Sequence, residues 1–246
     1  MAALAGRRVV VTRAAAQAKP LVDLLIEHGA EPLVVPLIEI VDPSDGGAAL
    51  AGVLSRLNEF DWIVVTSPNG ADRVRAALST ATARPNIAAV GTATEAALGV
   101  GADLVPAVQT AEGLSGDFGS GPGTILIVEP EGGRGANDGP SALHRALAAK
   151  GWTVTAVDAY RTIPVVPSSG DLLRVLSADA ALFASGSAVR SWVGVFGTQT
   201  PAVTAAIGPS TAQVADEIGL KIDIVAADHS LHGLVDCLVV YFADAV

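Results

Sequence analysis

The sequence has few of the features that mark disulfide-rich, membrane or secreted proteins. Cys237 is the only cysteine among 246 residues, so no internal disulfide can form and no oxidising compartment is required. Charged residues, Gly or Pro interrupt every apolar stretch before it reaches the roughly 20 residues of a membrane-spanning helix. The N-terminal segment has no apolar run of signal-peptide length. We therefore expect a cytoplasmic protein that does not bind membranes.

Basic residues are also scarce. Lys and Arg number 15 against 25 Asp and Glu, a formal net charge of −10, and no segment concentrates the positive charge. Because a nucleic-acid backbone is a polyanion, this balance argues against nucleic-acid binding. Half of the residues are hydrophobic, which excludes a disordered chain, and the length suits one large domain or two small ones.

Four motifs of common enzyme classes are missing. The Gly-rich run at 132–139 is not followed by Lys-Ser/Thr, so it is not a P-loop. The glycines at 121–123 precede a predicted strand instead of following one, which is the wrong context for dinucleotide binding. No serine lies in G-x-S-x-G, and the histidines do not form H-E-x-x-H. The motifs therefore predict no nucleotide, no hydrolase serine and no metal.

Two patterns do alternate along the chain. Short apolar runs without polar alternation are typical of parallel strands covered on both faces; they lie at 9–11, 33–35, 62–65, 87–90, 125–128, 154–157, 180–183, 203–207 and 222–226. Segments with helical spacing lie between them, at 17–28, 72–78, 94–98, 141–150, 188–196, 211–218 and 234–242. The alternation predicts an α/β fold of Rossmann-like, doubly wound parallel sheets.

The two halves of the chain resemble each other at an offset of about 120 residues. DWIVVTSPNGADRV matches DAALFASGSAVRSW, and AAVGTATEAALGVGADLV matches AAIGPSTAQVADEIGLKIDIV. This predicts two similar lobes that arose by internal duplication. Small-molecule sites favour domain interfaces, so we expect the site between the lobes.

The lobes are predicted to be joined by a two-stranded extended linker. Its strands are the Pro-bearing stretches near 36–43 and 160–167. One lobe is then discontinuous, made of residues 1–37 and 166–246, and the other comprises residues 38–165. Linkers of this kind permit lobe closure.

Loops rich in Gly, Ser and Thr follow corresponding strands in both halves, and each leads into a predicted helix. They lie at 67–70 and 185–187, at 91–94 and 208–211, and at Thr110 and Ser230. Because helix N-termini carry unpaired N–H groups and a positive dipole end, several together would bind carboxylates or phosphates. Plain helix capping is the alternative, since Thr92 with Glu95 and Ser210 with Gln213 fit the capping-box spacing.

Arginines and one tyrosine complete the candidate set. Arg13, Arg134, Arg161 and Arg190 lie near predicted strand ends or loops, where each either binds an anion or is simply solvated. Tyr160 lies where a strand meets a linker, and its phenol can donate a hydrogen bond or act as a general acid. Packing with an exposed hydroxyl is the alternative for Tyr160.

Six segments, in order, resemble those of uroporphyrinogen-III synthases. They are VVVTRAAAQAKPLVDLLIEHGAEPLVVPLIEI, DWIVVTSPNGADRV, AAVGTATEAAL, VDAYRTIP, LFASGSAVRSW and AAIGPSTAQVADEIGL. The resemblance runs along almost the whole chain and implies two Rossmann-like lobes with a two-stranded connection. It therefore agrees with the duplication and the linkers predicted above.

The resemblance also implies an activity. Enzymes of this family are cyclising hydro-lyases of tetrapyrrole and haem biosynthesis, which convert hydroxymethylbilane to uroporphyrinogen III with inversion of ring D and loss of water. The reaction uses no metal or organic cofactor. The expected ligand is then the anionic bilane, hydroxymethylbilane synthase is the upstream enzyme, and we expect a monomer.

The same resemblance assigns candidate residues. Tyr160 matches the family tyrosine proposed to assist departure of the substrate hydroxyl. With Thr92 and Gly208 added from the Gly-, Ser- and Thr-rich loops, the residues predicted to bind substrate are Arg13, Ser67, Asn69, Gly70, Thr92, Thr94, Ser185, Gly186, Ser187, Gly208, Ser210 and Thr211.

Two alternative functions stay open at this point. A two-lobed tetrapyrrole-binding or regulatory module would keep the fold without turnover. Ala184, where the family commonly has Thr, and the acidic residues Glu129 and Glu131 motivate it. An unrelated two-lobed enzyme acting on another polycarboxylate is the third hypothesis.

Overall fold

The computed structural model describes residues 3–133 and 139–244. The chain divides into two compact units, unit 1 with residues Met1–Glu39 and Ile163–Val246 and unit 2 with Ile40–Thr162. The strands are β1 (Arg8–Val11), β2 (Glu31–Val34), β3 (Ile38–Val41), β4 (Trp62–Val65), β5 (Asn86–Ala89), β6 (Thr124–Pro130), β7 (Thr153–Pro164), β8 (Ala180–Phe183), β9 (Val203–Ala206) and β10 (Ile224–Val225). The α-helices are α1 (Ala15–Glu27), α2 (Ala48–Leu54), α3 (Pro68–Thr80), α4 (Thr92–Leu98), α5 (Ala111–Asp117), α6 (Ala142–Ala149), α7 (Ser169–Leu176), α8 (Gly186–Phe196), α9 (Pro209–Glu217) and α10 (Leu231–Asp244), with a short 3₁₀ turn at Leu57–Glu59.

The strands form two sheets. Their orders are β10-β9-β8-β1-β2 and β3-β7-β6-β4-β5. Neighbours pair in parallel from β10 through β2 in the first sheet and from β7 through β5 in the second. The predicted α/β class with parallel sheets is confirmed.

The apolar runs form strands because both faces of each sheet are covered. In β4, Ile63 and Val65 pack in one apolar layer with Val74 of α3, whereas Val64 packs in the opposite layer with Leu114 of α5. All three strand residues are fully buried. A strand with two buried faces needs no polar alternation, which is why these runs are continuous.

Several predicted boundaries are wrong. The run at 222–226 contributes only the two residues of β10. The first helix begins at Ala15 rather than residue 17, so Pro20 lies inside α1 and leaves the carbonyl of Ala16 without its helical N–H partner. The sequence pattern did not predict α2 and α7, two short helices that lie between β3 and β4 and between β7 and β8.

Aspartates hold the amino ends of strands in both sheets. Asp179 accepts a hydrogen bond from Arg8 N–H at 2.8 Å, and Asp61 accepts one from Thr124 N–H at 2.7 Å. A second pair repeats the arrangement two strands further along each sheet. These bonds run from Ile87 N–H to Asp103 and from Thr204 N–H to Asp223, at 2.8 and 2.9 Å. The carboxylates therefore bind N–H groups at the amino ends of the strands, whereas the Ser- and Gly-rich loops follow the carboxyl ends.

Across residues 3–133 and 139–244, no helix combines the length and apolarity needed to cross a membrane.

Candidate functional site

The predicted loops at 67–70 and 185–187 lie where each sheet reverses its direction of winding. In unit 1 the chain proceeds from β1 to β2 on one side and from β8 to β9 and β10 on the other, so the switch point lies between β1 and β8. Arg13 follows the carboxyl end of β1, and Ser185 follows that of β8. Ligands of open α/β sheets bind beyond the carboxyl ends of the strands at such points.

Unit 2 has the same property. Its chain proceeds from β4 to β5 and from β6 to β7 in opposite directions, which places the switch point between β4 and β6. Only Thr66 separates Ser67 from the end of β4, and Pro130 ends β6. The strand order that locates both switch points could not be obtained from the sequence pattern.

Tyr160 and Ser67 are in direct contact. Tyr160 lies in β7 and Ser67 precedes α3, and their hydroxyl oxygens are 2.9 Å apart. Ser67 Oγ also accepts a hydrogen bond from Gly70 N–H at 3.1 Å and so caps α3. Tyr160 is 6% exposed and packs in an apolar layer of unit 2. Two residues predicted separately are thus joined beside the switch point of this sheet.

The acidic segment beside Tyr160 has a structural role. The register of β6 on β7 shifts between Glu129 and Pro130, and Glu131 N–H donates to Tyr160 O at 2.7 Å. The Glu131 carboxylate accepts Ser44 N–H at 2.8 Å. Hydrogen bonds from the Ser44 hydroxyl and backbone hold the pKa of Glu131 below its ordinary value. This carboxylate therefore ties two loops together.

Gly70 and Gly186, two of the residues predicted to bind substrate, pack closely against other elements of the protein. A Cβ on Gly186 would lie 2.9 Å from Val214 Cγ2 of α9, and one on Gly70 would lie 3.3 Å from Val128 Cγ1 of β6. A Cβ at position 186 would therefore overlap α9, whereas a Cβ at position 70 would make a tight contact with β6. Bulky substitutions at these positions would test packing rather than ligand contact.

Both predicted capping boxes are wrong. Gly91 is the N-cap of α4, and Thr92 N–H donates instead to Gln109 Oε1 at 3.0 Å. The Glu95 carboxylate accepts Ala102 N–H. A glycine that adopts the extended N-cap conformation moves the helix start to Thr92, so the hydroxyl can no longer cap it.

The corresponding helix in unit 1 begins in the same way. Gly208 is the N-cap of α9, so Ser210 lies within the first turn. Gln213 Nε2 donates to Glu217 at 3.1 Å rather than to the helix start. A Cβ on Gly208 would lie 3.0 Å from the ring of His229, so this loop is closely packed.

The predicted polar side chains differ in exposure. Ser210 and Thr92 are exposed, and Ser185, Ser187 and Asn69 are half-buried. Thr94 and Thr211 are only 2% and 3% exposed. Ser185 Oγ caps α8 by accepting Ala188 N–H at 3.3 Å.

The four candidate arginines have different environments. Arg13 is largely buried, its Nε has no hydrogen-bond partner in the described part of the chain, and burial lowers the pKa of its guanidinium. Arg161 Nε donates to Asp42 O at 3.1 Å, which is a structural contact, and Arg190 is exposed on α8. Arg134 lies outside the described residues.

No group of three or more His, Cys, Asp or Glu side chains that could hold a metal ion occurs among residues 3–133 and 139–244.

Comparison with known proteins identifies the family. A family model described as "Uroporphyrinogen-III synthase HemD" matches residues 19–236. The chain belongs to the uroporphyrinogen-III synthase family. A uroporphyrinogen-III synthase of Synechococcus elongatus is 27% identical over 251 residues, covering 94% of each chain. A chloroplastic uroporphyrinogen-III synthase of Oryza sativa is also 27% identical, over 94% of this chain and 79% of the relative.

Solved structures of uroporphyrinogen-III synthases have a similar fold. A mutant enzyme from Thermus thermophilus aligns with a TM-score of 0.66 at 19% identity, over 98% of this chain and 100% of that one. The Helicobacter pylori enzyme aligns with a TM-score of 0.58 at 14% identity, over 96% and 99%. At these identities the likeness concerns the fold.

Proposed function

We propose that this chain is a uroporphyrinogen-III synthase that cyclises hydroxymethylbilane to uroporphyrinogen III, with inversion of ring D and release of water. The observation that carries the proposal is the 2.9 Å contact between the hydroxyls of Tyr160 and Ser67 beside the sheet switch point of unit 2. This contact holds a phenol, which can donate a proton, near the carboxyl ends of the strands, where α/β proteins bind ligands.

Tyr160 acts first, on the hydroxymethyl group of ring A. The phenol donates its proton to the departing oxygen, the carbon–oxygen bond breaks, and water leaves with that electron pair. The nitrogen of ring A supplies electrons to the vacated carbon, which gives an azafulvene cation. Its positive charge lies near a phenolate at this moment, so the ion pair stabilises the intermediate.

Ring D then reacts twice. Its substituted carbon attacks the azafulvene carbon and forms a spiro pyrrolenine, whose bond to the neighbouring bridge carbon breaks. Ring D recloses through its other α-carbon, and the proton lost there as the pyrrole regains aromaticity returns to Tyr160. Without enzyme the bilane closes directly to the type I isomer, so the protein must mainly hold ring D in the reactive orientation.

The eight carboxylates of the bilane need cationic and N–H partners. In unit 1 we assign Arg13, whose buried Nε lacks a partner within the described ranges, and the first turns of α8 and α9 with Ser187 and Ser210. Burial of an unpaired polar group is unfavourable, and an anion would satisfy it. The other predicted contacts stay assigned to substrate in this proposal, apart from Ser67, whose hydroxyl is engaged by Tyr160 and Gly70. They are Asn69, Gly70, Thr92, Thr94, Ser185, Gly186, Gly208 and Thr211.

The two units are further proposed to derive from one duplicated unit. The strand order β10-β9-β8-β1-β2 of unit 1 corresponds to the order Leu104-β5-β4-β6-β7 of unit 2. Leu104 takes the place of β10 because it forms a parallel bridge with Ala88 of β5, as β10 pairs in parallel with β9. The paired aspartate contacts support the same correspondence. β3 and β7 are neighbours, and the division between units falls within both, which supports linkers near 36–43 and 160–167.

The first experiment is to identify the product isomer. Hydroxymethylbilane would be generated by hydroxymethylbilane synthase in the presence of this protein, and the oxidised uroporphyrins separated by isomer. We expect predominantly type III, against type I in a matched reaction without the protein. Type I in both reactions would contradict the proposal and favour a binding module. A monomeric state and a cytoplasmic location stay predictions.

A further inference from the structure

We propose that Ser67 is a positioning residue for Tyr160, which orients the phenol so that its proton points away from Ser67 and toward the ligand. This role rests on the proposed function of Tyr160 as proton donor. It differs from the direct substrate contact predicted for Ser67, because the hydroxyl is already engaged by two protein groups.

Counting donors and acceptors permits the proposed direction of the hydrogen bonds. A serine hydroxyl has one hydrogen and two lone pairs. Gly70 N–H can only donate, and it occupies one lone pair of Ser67 Oγ at 3.1 Å. The remaining hydrogen and lone pair of Ser67 allow its 2.9 Å bond to Tyr160 Oη to run in either direction, and we take Ser67 as the donor. If Ser67 donates to this oxygen, the phenolic hydrogen is left for another acceptor.

Other capping serines of the chain use their hydrogens in this way. Ser168 accepts Asp171 N–H at the start of α7 and donates to the Asp171 carboxylate at 2.6 Å. Ser230 accepts Gly233 N–H at the start of α10 and donates to the Asp228 carboxylate. Ser67 has the phenol oxygen of Tyr160 in the place of that carboxylate.

The arrangement leaves the phenolic proton available to the leaving hydroxyl. Gly70 N–H donates to Ser67, Ser67 donates to Tyr160, and Tyr160 is free to donate to the leaving hydroxyl, so each bond polarises the next. When the phenol becomes a phenolate, the bond from Ser67 becomes charge-assisted and strengthens. Ser67 therefore stabilises the state that forms during departure of the hydroxyl more than the resting state, which lowers the barrier.

Capping alone does not explain the contact. Ser185 caps α8 with the same geometry, at 3.3 Å from Ala188 N–H, and it follows the corresponding strand of unit 1. Unit 1 has no tyrosine beside it, since the only other tyrosine, Tyr241, lies in α10. The Tyr160 contact is therefore an addition to the cap in unit 2.

A double-mutant cycle tests the role by turnover. Ser67→Ala is expected to lower kcat about tenfold, the effect of losing one hydrogen bond, and to leave KM nearly unchanged. Ser67→Thr should restore kcat because it retains the hydroxyl. The double variant Ser67→Ala/Tyr160→Phe should be no slower than Tyr160→Phe, since Ser67 acts only through the phenol. Fully additive losses would overturn the proposal.

Two further variants separate positioning from capping. Ser141→Ala removes an equivalent cap in unit 2, where Ser141 Oγ accepts His144 N–H at 3.2 Å, without contact to Tyr160. It should lower stability and leave kcat unchanged. Ser67→Gly removes the hydroxyl at a small capping cost and replaces Ser67→Ala if that variant does not fold. A loss of kcat in Ser141→Ala equal to that in Ser67→Ala would overturn the proposal.

A spectroscopic measurement needs no turnover and is independent of the proposed function. Tyr241→Phe leaves Tyr160 as the only tyrosine, and the intensity ratio of the tyrosine Raman doublet depends on whether the phenol donates or accepts a hydrogen bond. We expect the acceptor pattern in Tyr241→Phe and its loss in Tyr241→Phe/Ser67→Ala. An unchanged ratio would overturn the proposal even in an active enzyme, whereas a wild-type protein that makes only type I product would overturn the function alone.

Discussion

Arg13 is the proposed substrate-binding residue with the most unfavourable environment in the unliganded protein. Its Nε is buried without a partner in the part of the chain that the structure describes, in a protein with a formal net charge of −10. A desolvated, unpaired N–H group of a guanidinium raises the free energy of the unliganded protein. In the proposed site, the same group would bind a carboxylate more strongly than an exposed arginine, because less water competes.

Arg13→Met tests this balance between stability and binding. The variant keeps most of the aliphatic packing and removes the buried N–H group. We expect the Kd for uroporphyrinogen III to rise roughly tenfold to a hundredfold, and the free energy of unfolding to increase by about 1 kcal/mol. Calorimetric titration and urea denaturation measure the two quantities.

Arg174→Met is the matched control, since it removes the same charge from an exposed side chain of unit 1. It should change neither quantity by more than about 0.5 kcal/mol. Unaltered product affinity in Arg13→Met would remove Arg13 from the substrate site.

At this scale the sequence identifies the candidate side chains but not their partners. Tyr160 and Ser67 are both predicted, yet their contact depends on β7, β6 and β4 lying side by side, which a linear pattern does not encode. The direction in which Gly186 faces depends in the same way on the packing of α8 against α9.

The pair α8 and α9 shows how an element depends on one small residue. Gly186 begins α8, and the Cβ of an alanine there would lie 2.9 Å from the stiff, β-branched side chain of Val214. Gly194 lies in the same helix, and a Cβ added there would have no atom of another residue within 4 Å beyond its own helical turn. Close packing therefore favours glycine at position 186 but leaves room for a side chain at position 194.

Alanine substitutions at the two positions should have opposite effects. Gly186→Ala is expected to lower the free energy of unfolding by about 1–2 kcal/mol through overpacking. Gly194→Ala should raise it by up to about 1 kcal/mol because alanine favours the helix interior. Urea denaturation provides the measurement, and Val214→Ala should partly rescue Gly186→Ala. Equal effects of the two substitutions would show that the contact with Val214 is unimportant.

Element type is more predictable than element ends. Continuous apolar runs and Ser- or Thr-capped helices can be located from the sequence because burial on two faces and capping are local requirements. The predicted start of α4 is wrong because Gln109, 17 residues away, satisfies the N–H of Thr92. Such a distant partner leaves no local spacing signal.

The whole molecule combines acidic charge with carboxylates that stabilise the fold. Burial acts to raise the pKa of Asp223, but hydrogen bonds from Lys221 and Thr204 outweigh it and hold the pKa below its ordinary value. For Asp179, burial likewise acts to raise the pKa and is outweighed by hydrogen bonds from Arg8 and Arg7. The unfolded chain therefore binds protons at a higher pH than the folded chain does at these sites.

The sign of the acid response follows from these shifts. The stabilisation is complete above the pKa of the unfolded aspartates, about 4, and is lost as the pH falls through the lower folded-state values. We expect the free energy of unfolding to decrease over this range, and Asp223→Asn to show a smaller decrease than wild type. Urea denaturation at a series of pH values measures both slopes.

Asp72→Asn is the control, because its carboxylate belongs to an exposed pair 3.8 Å from Arg75. It should keep the wild-type slope. A slope in Asp223→Asn identical to that of wild type would mean that the contacts to Thr204 and Lys221 contribute nothing to acid sensitivity.

Unit 1 is built from two separate segments of the chain, which affects its folding during synthesis on the ribosome. β1 has β2 on one side, but its other neighbour, β8, begins at Ala180, after the whole of Ile40–Thr162 has been made. At about 5–20 residues per second, β1 waits on the order of ten seconds with one unpaired edge. The inserted unit can complete its own contacts during that interval. The nascent chain therefore presents a finished domain together with an apolar strand edge, the kind of surface that chaperones bind.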